Sequence, residues 1–133
     1  MTAQWEVTCE LPMRLPSMAN LRLHWATKAR TVKAQRSATG LALRTTGRAF
    51  VTAWKHMDAN PNLRLHCLLT RVGPRALDDD NLQGAFKAVR DEVAATFGID
   101  DGSERWRWQY AQERGLYAVR IRLAVFHVGQ EAA

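Results

Sequence analysis

Cysteine occurs only twice in the 133 residues, at Cys9 and Cys67, and the two form no CxxC pair. Both sit in strand-like stretches, which reads as reduced core residues of an intracellular protein and argues against a disulfide framework. Zinc is disfavoured as well: His24, His56, His66 and His127 stand apart from one another and from either cysteine, with no ligand spacing. No apolar stretch approaches the ~20 residues that span a bilayer. The first ten residues show no basic-then-apolar signal pattern. The sequence therefore predicts a soluble, cytoplasmic protein with no membrane partner. Acidic residues are also in short supply, 13 Asp and Glu against 19 Lys and Arg, for a net charge of +6. A basic domain of this size suits a polyanion such as DNA or RNA, although basic proteins without that role are common.

The remaining composition is that of one ordinary domain, 47% hydrophobic and 24% charged, which excludes disorder except at the ends. Gln4 to Leu11 alternates as a strand stopped by Pro12, and Arg14 to Ala19 reads as a loop. Leu21 to Thr46 has no proline and is rich in Ala, Leu, Arg and Lys; it reads as a helix with Gly40 as its weak point. At about 100° per residue, Arg22, Arg30, Lys33, Arg36 and Arg44 fall within an arc of roughly 120°. That basic stripe is either a solvated face or, beside an active site, a phosphate-tracking one. Leu63 to Val72 is a strand with Leu63, Leu65, Cys67 and Leu69 on one face, broken by Gly73-Pro74-Arg75.

After Asp78-Asp79-Asp80 a second helix, about Asn81 to Phe97, is marked by Leu82, Ala85, Phe86, Val89, Val93 and Phe97 at helical period. Gly98 is its left-handed stop, and Ile99 supplies the usual hydrophobic contact. Arg105 to Ala111 and Leu116 to Val128 read as strands around the turn Glu113-Arg114-Gly115. Val119, Ile121, Leu123 and Val125 share one face of the last strand, Arg120 and Arg122 the other. The expected architecture is a single α+β domain over residues 1–133: a sandwich of a small mixed β-sheet with two main helices packed on it. Of the five tryptophans, most are expected in the core or at a dimer contact, leaving one or two to stack on bases.

The chemistry concentrates in the aspartates. Asp78 and Asp80 are two apart at a loop-to-helix junction, so an extended segment points both carboxylates the same way. Asp100-Asp101 lies past the far end of the helix, and a helix of about seventeen residues is roughly 25 Å long. To join the first pair, the chain must turn back along the helix at Gly98, or a second subunit must supply the missing group. Converging carboxylates suit Mg²⁺ or Mn²⁺, which polarise a phosphate and lower the pKa of a bound water. Lys87, seven residues after Asp80, lies near the same helix face and is placed to steady charge on the phosphate. Each group also has an ordinary structural role: Asp79 or Asp80 caps the helix beginning at Asn81, and Asp100-Asp101-Gly102 is common turn chemistry.

Asp78-Asp79-Asp80-Asn81-Leu82, a helix carrying Lys87, and then Gly98-Ile99-Asp100-Asp101 together resemble the RusA-type Holliday junction resolvases, particularly the phage and prophage versions. Leu11-Pro12, Pro16-Ser17-Met18-Ala19-Asn20 and His24-Trp25 are similar to the N-terminal Pro-Ser-x-Asn and nearby Trp of that family. The resemblance implies a homodimeric, Mg²⁺-dependent endodeoxyribonuclease that binds four-way junctions and nicks symmetric strands. It assigns Asp78, Asp80 and Asp101 as metal-binding carboxylates with Asp100 beside them, and it implies that the fold brings the later pair near the first. The family's lysine lies four residues after the second Asp, where this chain has Gly84; Lys87 is one helical turn further on. Arg71, Arg75 and the stripe of Arg30, Lys33 and Arg36 are the expected phosphate contacts. Asn20 is a DNA contact by resemblance, or equally a helix cap. The competing expectation is a non-catalytic prophage protein that holds branched DNA without cutting it.

Overall fold

The computed structural model describes residues 5–17 and 24–129. Strand β1 (Trp5–Leu11) is followed by helices α1 (Trp25–Arg44) and α2 (Arg48–Met57), then strand β2 (Leu63–Gly73). Helices α3 (Asp79–Ala85) and α4 (Lys87–Phe97) precede strands β3 (Trp106–Arg114) and β4 (Ala118–His127). The strands form one sheet in the order β1-β4-β2-β3. β4 pairs antiparallel with both β1 and β2, whereas β2 and β3 run parallel, so the sheet is mixed and the fold is α+β as expected.

The alternation read from the sequence places the core. Cys9, Leu65, Cys67, Leu69, Val119, Ile121 and Leu123 all have zero exposure on the sheet's inner face. Phe50 and Trp54 of α2, Phe86 between α3 and α4, and Val89 and Val93 of α4 pack into the same cluster. Side chains of this size each contribute about 1.5–3 kcal/mol on burial. Phe50 stacks on Trp5 at 4.1 Å and meets Phe97 edge-on at 6.0 Å, tying β1, α2 and α4 together. The outer face carries charge instead: Arg120 pairs with Glu10 and Glu113, and Arg122 with Glu6. Cys9 and Cys67 are free and buried, and burial pushes both thiols above the usual range.

Four helices stand where two main ones were expected. The first runs to Arg44 and passes through Gly40 without a break; residues 21–23 lie outside the described segments. Gly40 is buried in the helix, and a Cβ there would first meet the movable ends of Arg44, at 2.9 Å, and of Glu92 on α4, at 3.2 Å. α2 was not anticipated. Its buried Phe50, Val51 and Trp54 hold it down with one narrow apolar stripe. The expected helix over Asn81 to Phe97 is divided at Phe86, whose N–H is shared between the carbonyls of Leu82 and Gln83. The division follows Gly84, a weak helix former. The last two strands do not form a hairpin: β2 lies between them. Gly115–Tyr117 crosses the end of β2, with the Gly115 N–H donating to Gly73 O at 3.1 Å. A Cβ on Gly115 would press on Val72 at 3.1 Å, which explains glycine at the crossing.

Candidate functional site

Asp78 is the N-cap of α3, not Asp79 or Asp80. Its Oδ1 accepts from the Asn81 N–H at 2.9 Å and its Oδ2 from Asn81 Nδ2 at 3.0 Å. Asp79 and Asp80 occupy the first helical turn, where the dipole favours acids, and all three aspartates are exposed. None of the three forms an ion pair among the described residues. Gln112 of β3 fixes the approach to this corner, accepting from the Leu77 N–H at 2.8 Å and donating to the Leu77 carbonyl at 2.7 Å.

Asp101 lies elsewhere. Gly98, at φ 68°, ends α4 in the left-handed region and reverses the chain. Asp100 then closes the turn by accepting from the Gly102 N–H at 3.0 Å. Asp101 Oδ2 takes the Arg90 Nε–H at 2.9 Å, and its carbonyl accepts from Arg90 Nη2 and from Trp108 Nε1. Arg90 also donates to the Tyr110 hydroxyl at 2.8 Å and lies 4.6 Å over the Trp108 ring. Burial works against its charge, but Tyr110 and Asp101 outweigh burial and raise its pKa.

Trp108, Tyr110 and Gln112 share one face of β3, and this row measures the site. Gln112 holds the residue before Asp78, and Trp108 holds Asp101. Four strand residues span about 13 Å, so the two acidic groups sit at opposite ends of the row with Arg90 between them. Turning back at Gly98 recovers only part of the helix length. Among the described residues no three His, Cys, Asp or Glu side chains gather closely enough to hold a metal ion. The expected convergence of Asp78, Asp80, Asp100 and Asp101 is therefore absent within one chain. A shallow cleft of about 290 Å³ does adjoin Asp91, Asp100 and Asp101. Two of its acids are already neutralised, Asp91 by Lys87 and Asp101 by Arg90.

Lys87 opens α4, is exposed, and turns its ammonium to Asp91 at 3.3 Å. The basic stripe is distributed unevenly. Arg30 and Lys33 are exposed, whereas Arg36 pairs with Glu92 of α4 at 3.0 Å. Arg75 is exposed, but Arg71 is 6% exposed and donates to the backbone carbonyls of Leu15 and Arg75. Asn20 lies outside the described residues. Arg90 and Tyr110 were missed by sequence reasoning; the signal for them was the alternation of Trp106, Trp108 and Tyr110 on a strand face that must be covered.

Among the described residues no helix is long and apolar enough to cross a membrane. No protein-family model matches the chain. It is similar to an uncharacterized protein of Xylella fastidiosa, 33% identical over 84 residues that make up 62% of the chain. That stretch is 51% of the relative, so the chain spans about half the length of the protein it matches.

Proposed function

We propose that the chain is a magnesium-dependent, structure-selective endodeoxyribonuclease that resolves four-way DNA junctions by paired nicking in recombination and repair, acting as a cytoplasmic homodimer. One observation carries the reading. In a protein of net charge +6, Asp78, Asp79 and Asp80 are exposed with no ion pair among the described residues, and the residue before them lines an arginine-rich cleft. Acids left uncompensated beside basic groups suit a hard cation shared with phosphate.

Asp78 and Asp80 fit magnesium, which is commonly held by one or two carboxylates together with waters and substrate phosphate; manganese accepts the same ligands. Asp101, at the far end of the β3 row, fits as a further ligand when a second copy of the chain supplies it with its contact to Arg90 released. The bound ion supplies a polarised phosphate and a water of lowered pKa. The chain's own residues position the strand. Arg75, Arg30 and Lys33 contact phosphates, Arg36 joins them when Glu92 yields it, and Lys87 steadies charge on the phosphate. The N-terminal Asn20 and the RusA-like order of the acids support the same reading.

The test is cleavage of a synthetic four-way junction with Mg²⁺, run beside flap, duplex and single-stranded substrates. Paired nicks in the junction are expected, and Asp80→Asn should lower the rate roughly 100-fold or more, as loss of one charge-stabilising group does elsewhere, while binding survives. An Asp80→Asn protein that cuts at the wild-type rate overturns the metal role. A second reading draws on the Arg90–Asp101 pair and the separated acids: a non-catalytic prophage protein that holds branched DNA. It predicts junction binding without cutting under either Mg²⁺ or Mn²⁺.

A further inference from the structure

A cleft of about 590 Å³ at the end of the sheet gathers unexplained positive charge; it is lined by Arg14, Ser17, Arg71, Arg75, Leu77 and Tyr117 among others. Arg71 forms its floor. Two backbone carbonyls, of Leu15 and Arg75, each accept from its guanidinium at 2.7 Å, and its Nη2 makes no hydrogen bond among the described residues. Gly73 makes room for this group: a Cβ there would stand 3.1 Å from Nη1 and 3.3 Å from both Cζ and Nη2. Arg14 extends over the Tyr117 ring at 5.2 Å. Ser17 is 8% exposed, and its Oγ has no hydrogen-bond partner among the described residues.

Arg71 differs from the other arginines in its burial. Arg36, Arg90, Arg120 and Arg122 each have a carboxylate, and the exposed arginines have water; Arg71 is 6% exposed and has no carboxylate among the described residues, and neither do Arg14 and Arg75 beside it. No Asp or Glu is among the described lining residues. Burying a guanidinium is costly; the two carbonyls offset part of that cost for Arg71, and an anionic ligand would supply the counter-charge it lacks. The lining combines three guanidinium groups with a hydroxyl and a phenol. A phosphate, doubly hydrogen-bonded by an arginine fork and with further oxygens for other donors, suits such a mixed lining.

We propose that Arg14, Ser17, Arg71, Arg75 and Tyr117 form a built subsite for one backbone phosphate of a DNA strand, which places the neighbouring stretch of that strand at Asp78. The assignment rests on the nuclease reading for its choice of DNA, and on the cleft alone for its choice of phosphate. Leu77 connects the two places, lining the cleft immediately before Asp78.

The experiment compares the wild type with an Arg14→Gln/Arg75→Gln protein, two substitutions at the cleft rim that leave the buried Arg71 in place. A control, Lys55→Gln/Arg107→Gln, removes the same charge elsewhere. Binding of a fluorescent four-way junction is followed across a salt series by anisotropy. The cleft variant should bind about tenfold more weakly, and its log–log salt slope should flatten by at most ~0.9, the step for the one phosphate contact weakened. The control should change the slope by less. In a second arm, orthophosphate should raise the melting temperature of the wild type above that in chloride at equal ionic strength, and not that of the cleft variant. An unchanged affinity and slope overturns the subsite, as does an orthophosphate effect with junction binding intact, which assigns the cleft to a small phosphorylated ligand. Mg²⁺ cleavage separates the two proposals: cleft-dependent binding without cutting keeps the subsite and sinks the nuclease, and cutting with cleft-independent binding does the reverse.

Discussion

Arg90 has the most partners of any side chain near the acids, and its loss should be felt first in stability. It donates to Asp101 Oδ2, to the Asp101 carbonyl and to the Tyr110 hydroxyl, and it covers the Trp108 ring. The Arg90 and Asp101 side chains are 27% and 39% exposed, so water screens part of the ion pair. With that discount, Arg90→Gln should cost about 1–2 kcal/mol, read as a lower midpoint in urea melts. Arg90→Lys keeps the charge but loses the fork, and should recover less than half of it. A loss below about 0.3 kcal/mol, the scatter of ordinary surface changes, would show that the pair does not hold the turn. The aspartates were readable from the sequence because three in a row are conspicuous. Arg90 was not, because its partner lies eleven residues on, beyond a reversal whose direction no periodicity fixes.

That reversal belongs to the helix it ends. α4 closes on Gly98, whose N–H reaches the carbonyls of Ala94 and Ala95, and Ile99 N–H adds a bond to the Ala94 carbonyl. A Cβ on Gly98 would meet nothing within 4 Å, so a substitution there acts through the backbone alone. Gly98→Ala should therefore cost about 1–2 kcal/mol, the penalty of a left-handed L-residue, measured by chemical denaturation with the slope unchanged. A neutral result would mean that the turn relaxes into another form and that Asp101 is not fixed by it. Strand faces and this helix stop were visible in the residues because each follows from local spacing. The insertion of β4 between β1 and β2 was not, since Glu113-Arg114-Gly115 reads as a hairpin until β2 is known to occupy the place between the strands. The division of the helix at Phe86 was hidden for a related reason: Leu82, Ala85, Phe86 and Val89 keep one apolar face across it.

Taken together, the fold separates what the sequence order brings near. Asp78 follows the C-terminal end of β2 and Asp101 precedes β3; because those strands are parallel, the two groups lie toward opposite ends of the sheet. Under the proposed homodimer, a second copy of the chain can supply the third carboxylate, and this makes a specific prediction for mixed mutants. If each metal site takes Asp80 from one copy and Asp101 from the other, Asp80→Asn and Asp101→Asn proteins are both inactive alone. A heterodimer of the two has one site with both substitutions and one with neither. Unfolding and refolding an equimolar mixture should therefore restore about a quarter of the wild-type sites, since half the dimers are mixed and each holds one intact site. Junction cleavage measures the recovery, and light scattering reports whether a dimer forms at all. If each chain instead assembles its own site by releasing Asp101 from Arg90, the mixture stays as inactive as its parts. Arg90→Gln frees Asp101 in every copy, so it should lower the Mg²⁺ concentration needed for cutting under either arrangement, and it is the recovery of the mixed mutants that separates the two.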